Sequence, residues 1–263
     1  MPVALTIAGS DSGGGAGIQA DLKTFQAYGV FGTSALTAVT VQNTLGVRDY
    51  LALPPELVRA QIRAVVDDLQ PAACKTGMLA GAPVIEAVAA TLQELPPMAY
   101  VLDPVMVATS GDRLLDAGAE RAILELLLPL ATLVTPNLDE AALLTGEPVR
   151  NVEQMEDAAR RLVAAGAGAA LVKGGHLVGD AVVDLLYDGV HVHAYRRARL
   201  DTRSTHGTGC TLSAAVAAGL ARGAALHTAV ESALDYVYRA IAGAPGLGRG
   251  NGPLNHLVPP VLR

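Results

Sequence analysis

The chain has no tryptophan and only two phenylalanines, so it carries no aromatic platform on which the bases of a single strand would stack. Charged residues are also few, 17% of 263, and they sum to −6 with no basic run, which argues against a nucleic-acid partner. Cysteine appears twice, at Cys74 and Cys210, too widely spaced to suggest a disulfide framework or a metal knuckle. The N-terminus lacks a basic n-region and no apolar run reaches membrane-spanning length; the expectation is a cytoplasmic protein with no membrane partner. Lysine is the scarcer cation, with Lys23, Lys75 and Lys173 set against sixteen arginines. A retained lysine then marks a place for a slim ammonium, such as beside a phosphate, although biased base composition produces the same pattern.

What the chain does have is apolar residues, 51% of the total, enough for a large core in one α/β domain or two small ones. Short apolar runs at Val3–Ala8, Ser34–Val41, Ala72–Lys75, Ala99–Leu102, Ala131–Val134 and Ala169–Lys173 read as strands. Helix-period segments intervene at Gly17–Tyr28 and Pro55–Leu69 and near 82–94, 117–128, 138–145 and 153–165, with two more at 209–221 and 225–242. Strands that are continuously apolar, rather than alternating, suit a parallel sheet covered by helices on both faces. Ala181–Leu186 and Val190–Tyr195 flank Tyr187-Asp188-Gly189, a hairpin signal. The Gly/Pro-rich stretch 243–253 is the one loose segment, and a single domain over residues 1–263 is the economical reading.

Two glycine loops stand out. The first, Gly9-Ser10-Asp11-Ser12-Gly13-Gly14-Gly15-Ala16-Gly17, follows the first strand and lets backbone approach a ligand closely. It is a poor dinucleotide fingerprint, because the next strand ends in Val39-Thr40-Val41-Gln42-Asn43-Thr44 without a ribose-holding acid, and a P-loop's lysine and hydroxyl are missing. The second, Ser204-Thr205-His206-Gly207-Thr208-Gly209-Cys210-Thr211, runs into an alanine-rich helix. Unpaired N–H groups and the positive end of the helix dipole make such a start an anion site, and the same field lowers a thiol's pKa. Anion cradle and base would then share one loop, as phosphoryl transfer to a hydroxyl requires; the alternative is a turn with a buried structural cysteine. His191 and His193 share a strand face but lack a third ligand, and Cys74 reads as core.

These loops belong to a longer series. The opening Ala8 to Phe25, with Val41-Gln42-Asn43-Thr44, Lys75-Thr76-Gly77-Met78-Leu79, Leu102-Asp103-Pro104-Val105-Met106, Thr135-Pro136-Asn137-Leu138-Asp139-Glu140-Ala141, Val172-Lys173-Gly174-Gly175-His176 and His206 to Thr211, resembles the bacterial hydroxymethylpyrimidine/phosphomethylpyrimidine kinases of thiamine biosynthesis, block by block and in order. The resemblance implies a ribokinase-like three-layer α/β/α sandwich with a central, mostly parallel sheet, ATP and Mg²⁺ as cofactors, and a homodimer. It implies that Gln42 reads the aminopyrimidine edge, with Gly9, Asp21, Met78 and Val105 also binding substrate. Without it, Gln42 is a polar strand end and Asp21 an exposed helix carboxylate paired with a neighbouring cation.

Phosphate handling falls, on the same resemblance, to Lys173 and to the backbone N–H groups of Gly207, Thr208, Gly209 and Cys210. Thr205 and His206 join Lys173 on the nucleotide, His206 alternatively only shaping its turn. Asp103 and Glu140 organise Mg²⁺, or else cap a helix or form an ion pair. Cys210 takes the place where sugar-kinase relatives carry an aspartate base, so its thiolate would accept the hydroxymethyl proton. The expected reaction phosphorylates 4-amino-5-hydroxymethyl-2-methylpyrimidine and then its monophosphate, whose attacking oxygen is already ionised. The alternatives are a pyridoxal or pyridoxine kinase of the same superfamily, a non-catalytic pyrimidine- or nucleotide-binding protein and, more distantly, a dinucleotide oxidoreductase.

Overall fold

The computed structural model describes residues 1–106, 117–175, 177 and 179–262; His176 of the Lys173 block lies outside them. Its elements follow the alternation expected from sequence: β1 (Val3–Ser10), α1 (Gly17–Ala27), β2 (Phe31–Asn43), β3 (Gly46–Ala52), α2 (Pro55–Leu69), β4 (Ala73–Thr76), α3 (Ala82–Glu94), β5 (Ala99–Leu102), α4 (Ala117–Ala122), β6 (Leu133–Val134), α5 (Leu138–Thr145), α6 (Val152–Ala164), β7 (Ala170–Val172), β8 (Ala181–Tyr187), β9 (Val192–Ala198), α7 (Thr208–Ala221) and α8 (Leu226–Ala242). Two departures have local causes. The helix expected near 117–128 changes to a π turn over Ile123–Leu127 and a 3₁₀ turn over Leu128–Leu130, where Pro129 has no N–H to continue the ladder. Strand β3 was hidden because it is an edge strand, mostly exposed, whose Arg48 and Asp49 break up its apolar pattern.

The strands form one sheet in the order β3-β2-β1-β4-β5-β6-β7-β8-β9. Pairing is parallel from β2 through β7, while β3, β8 and β9 run antiparallel at the edges. The continuous apolar runs are explained by burial on both faces. Leu5, Ile7, Cys74, Leu102 and Val134 enter one core with α2, α3, α5 and α6, whereas Ala4, Ala73, Val101, Leu133 and Leu171 enter another with α1, α7 and α8. No helix among the described residues is long and apolar enough to cross a membrane. The right-hand members of every parallel pair point the same way, so the loops after β1, β4, β5, β6 and β7 gather along one edge, where open α/β sheets bind ligands.

Under that edge lies a buried ion pair. Lys75 on β4 donates to both oxygens of Asp21 on α1, at 2.9 and 2.8 Å, and Thr6 on β1 donates to Asp21 at 2.6 Å; all three side chains are fully buried. Burial alone would lower the lysine's pKa, but the Asp21 carboxylate outweighs it and holds the ammonium above the usual range. Helix α1 is thereby fixed against β1 and β4. Removing one partner strands a charge in the interior, at a cost of about 3–5 kcal/mol, whereas an apolar pair is tolerated far better. Lys75→Met should therefore lower the urea midpoint strongly, and adding Asp21→Leu should recover most of the loss. A double variant as unstable as the single one would show that the pair is not what the site's floor rests on.

Candidate active site

The loops at the strand ends enclose a cavity of about 630 Å³. Its lining includes Gly9, Gln42, Met78 and Val105, the charged Asp103, Glu140 and Lys173, and the Thr205–Cys210 loop. It also includes an apolar set, Leu212 of α7 and Leu234, Val237, Tyr238 and Ile241 of α8. These last five went unrecognised in the sequence because they share the spacing of ordinary helix core.

Asp21 is the exception among the expected site residues. It does not line the cavity, because both its oxygens are held below the floor by Lys75 and Thr6. A paired carboxylate with no exposed surface cannot receive a substrate amine or hydroxyl. Its pairing with a cation was anticipated; its depth was not.

Lys173 follows β7 and carries its ammonium into the cavity with 15% of the side chain exposed. The Nζ donates to Asp103 Oδ1 at 3.1 Å and lies 3.8 Å from Glu140 Oε2. A Cβ placed on Gly209 would meet that Nζ at 3.3 Å, so the cation lies directly against the glycine turn. Asp103 is fixed in turn by the Ser213 hydroxyl of α7 at 3.1 Å and by Thr135 at 3.3 Å. Glu140 caps α5: its carboxylate accepts the Asn137 N–H at 2.7 Å while Asn137 accepts the Glu140 N–H at 2.9 Å. Burial pushes its carboxyl up to about 7 against the pull of Lys173. Cap and ion-pair roles, held as alternatives to metal binding, are thus both present.

The glycine turn begins α7. Gly207 sits at φ +83°, and a Cβ there would lie 1.9 Å from the Gly15 carbonyl, so only glycine fits. Among the described residues the N–H groups of Gly209 and Cys210 have no backbone acceptor, while that of Thr208 reaches Thr205 at 3.3 Å. Two donors and a helix dipole therefore face the cavity beside Lys173. The thiol does not behave as the sequence suggested. Burial, with the Asp21 and Asp103 carboxylates, pushes Cys210 up to about 11, and neither Lys75 nor a bond from the Gly17 N–H reverses this. At neutral pH it is a thiol.

His206 borders the cavity but is itself buried. Its Nε2 meets Asp11 at 2.9 Å, which supports the turn-shaping reading. The stretch expected to be loose is tied in: Asn251 donates to Thr44 at 2.9 Å, Gly252 to Arg203 at 3.1 Å, and His206 to Gly252 at 3.1 Å. Further on, His256 reaches the Thr211 hydroxyl of α7 at 3.0 Å. His191 and His193 face Asp188 at 3.9 and 3.5 Å, and no group of three or more metal-binding side chains exists among the described residues.

Comparison with known proteins identifies the family. Residues 11–255 match the model of the phosphomethylpyrimidine kinase family. A hydroxymethylpyrimidine/phosphomethylpyrimidine kinase of Streptomyces coelicolor is 54% identical over 97% of this chain and 94% of its own length. Among solved structures, a phosphomethylpyrimidine kinase of Clostridium difficile superposes with a TM-score of 0.82 at 40% identity, over 92% of this chain and all of the other. The ADP complex of a Bacillus subtilis pyridoxal kinase reaches 0.89 at 40% identity, covering 97% of each chain. The chain is a phosphotransferase of ribokinase-like fold and belongs to the phosphomethylpyrimidine kinase family.

Proposed function

We propose that this protein transfers the γ-phosphoryl group of ATP to 4-amino-5-hydroxymethyl-2-methylpyrimidine and then to the resulting monophosphate, as a step of thiamine biosynthesis. The observation that carries the reading is one ammonium, Lys173, pressed against an open glycine turn inside a cavity that also holds Gln42, Met78 and Val105. Met78 and Val105 wall a flat ring. The Gln42 amide presents a donor to a ring edge, its oxygen lying 3.2 Å from the Thr40 hydroxyl. In this reading the nucleotide base packs on the apolar residues of α7 and α8, and its phosphates lie between Lys173 and the N–H groups of Gly209 and Cys210, with Thr205 near them. Those groups stabilise the charge that spreads over the transferring phosphoryl oxygens.

Asp103 and Glu140 are buried carboxylates facing the same space, which suits a hard cation. With no third His, Cys, Asp or Glu grouped with them among the described residues, Mg²⁺ would complete its shell with water and phosphate oxygens, and when bound it would neutralise phosphate charge. A pyridoxal-type ring also fits a flat apolar slot, and the closeness of the fold to a pyridoxal kinase keeps that substrate as the second reading. Mass spectrometry after incubation with ATP should show the pyrimidine alcohol gaining one phosphoryl group and then a second, and Lys173→Met should abolish both. A protein that phosphorylates only pyridoxal would overturn the substrate assignment.

The resting thiol changes the pH behaviour expected of the first step. If Cys210 accepts the hydroxymethyl proton, the active thiolate fraction grows about tenfold per pH unit above neutrality, because the group titrates near 11. The rate on the alcohol should climb from pH 7 to 9.5 without a plateau, and Cys210→Ser should remove that slope. Phosphorylation of the monophosphate should lack it in both proteins. A flat profile for the alcohol in the wild-type protein would confine Cys210 to shaping the turn.

A homodimer is part of the same proposal. Strands β2 and β3 and the turn between them expose Val39, Val41, Leu45, Tyr50 and Leu51, with Val39 paired across from Leu51. A clustered apolar edge of this kind suits a second copy of the chain. Replacing Val41 and Leu51 together by lysine should halve the mass seen in sedimentation. An unchanged mass, or a wild-type monomer, would rule this face out.

A further inference from the structure

Asp11 is almost fully buried and belongs to no step described above. Its Oδ1 accepts the Gly13 N–H at 2.7 Å, and its Oδ2 accepts the N–H groups of Gly15 at 3.0 Å and Ala16 at 2.8 Å. One carboxylate thus folds the whole first glycine loop around itself. Burial would raise its pKa, but the bonds from His206 and from the loop's N–H groups outweigh that and hold it below the ordinary value. An ionised carboxylate only accepts hydrogen bonds, so the nitrogen 2.9 Å away, His206 Nε2, must carry the proton.

That bond joins two loops far apart in sequence. On one side, Ser12 exchanges hydrogen bonds with the Gln42 backbone, at 2.8 and 2.9 Å, tying the first loop to the strand end that faces the pyrimidine. On the other, His206 is the residue before Gly207, where the phosphate turn begins. The two loops touch with no slack: a Cβ on Gly15 would lie 2.6 Å from the His206 ring. The Gly252 carbonyl holds the His206 N–H from behind.

We infer that the Asp11–His206 hydrogen bond sets the distance between the acceptor pocket and the phosphate turn, making both positioning residues for phosphoryl transfer. The inference rests on the two-substrate reading above but assigns neither residue to a ligand. Reacting atoms aligned within a fraction of an ångström are sensitive to small loop shifts, and about 1 Å of misplacement costs roughly 10²-fold in rate.

The test compares His206→Leu, which loses the donor, with His206→Gln, whose amide Nε2 can still reach Asp11. Steady-state kinetics with the pyrimidine alcohol and with its monophosphate are measured beside the wild-type protein, and urea midpoints are recorded for each. The leucine variant should lose about 10²-fold in kcat on both substrates with little change in either KM, and the glutamine variant should recover most of that loss. Because every variant is read against the wild type, a wrong substrate shows in the wild-type protein and a wrong pair only in the variants. A rise confined to the KM for ATP would make His206 a nucleotide contact and overturn the inference. So would equal losses in the two variants, or a loss that merely tracks the urea midpoint.

Discussion

A buried ammonium must keep its countercharge, and this chain places two of its three lysines under that constraint. Lys75 holds Asp21 and so fixes α1 beneath the first glycine loop. Lys173 holds Asp103 and approaches Glu140, which draws together the ends of β5 and β7 and the start of α5. Removing either lysine leaves carboxylates buried without compensation, so these charges dictate where the surrounding elements lie. Lys23, the third lysine, is exposed and donates to the Gly14 carbonyl at 2.6 Å on the outside of the same loop.

The sheet gives that arrangement its direction. Five parallel pairings bring the loops after β1, β4, β5, β6 and β7 to one edge. Hydrophobic cores on both faces leave little freedom for the strands to shift. Rigid strands below and hydrogen-bonded loops above separate the two tasks of the protein. Packing sets the coarse position of each group, and a few polar contacts at the edge set the final one.

Much of this was legible in the residues. Strand β5 and helices α2 and α5 fall where the apolar runs and helix-period segments put them, and both helices have local causes: Pro54 and Pro55 at the start of α2, the Asn137–Glu140 capping box and Gly146 at φ +73° for α5. The cavity gathers Gln42, Met78, Val105, Asp103, Glu140, Lys173 and the Thr205–Cys210 loop as the resemblance implied. What escaped was long-range. Asp21 is withdrawn by a lysine 54 positions away, and Asp11 is engaged by a histidine 195 positions away. The thiol of Cys210 reflects burial and neighbouring carboxylates as well as its place at a helix start, and only the folded environment decides among them.

The stretch from Asn251 to His256 has a consequence for synthesis of the protein. It supplies the carbonyl behind His206 and the ring beside Thr211, yet it is translated long after the strands that form the rest of the pocket. The sheet can assemble while the ribosome is still working, but the turn at Gly207 lacks these two braces until this segment emerges. A nascent chain therefore reaches a stage with its sheet formed and the start of α7 held by Asp11 but not yet by Gly252 and His256.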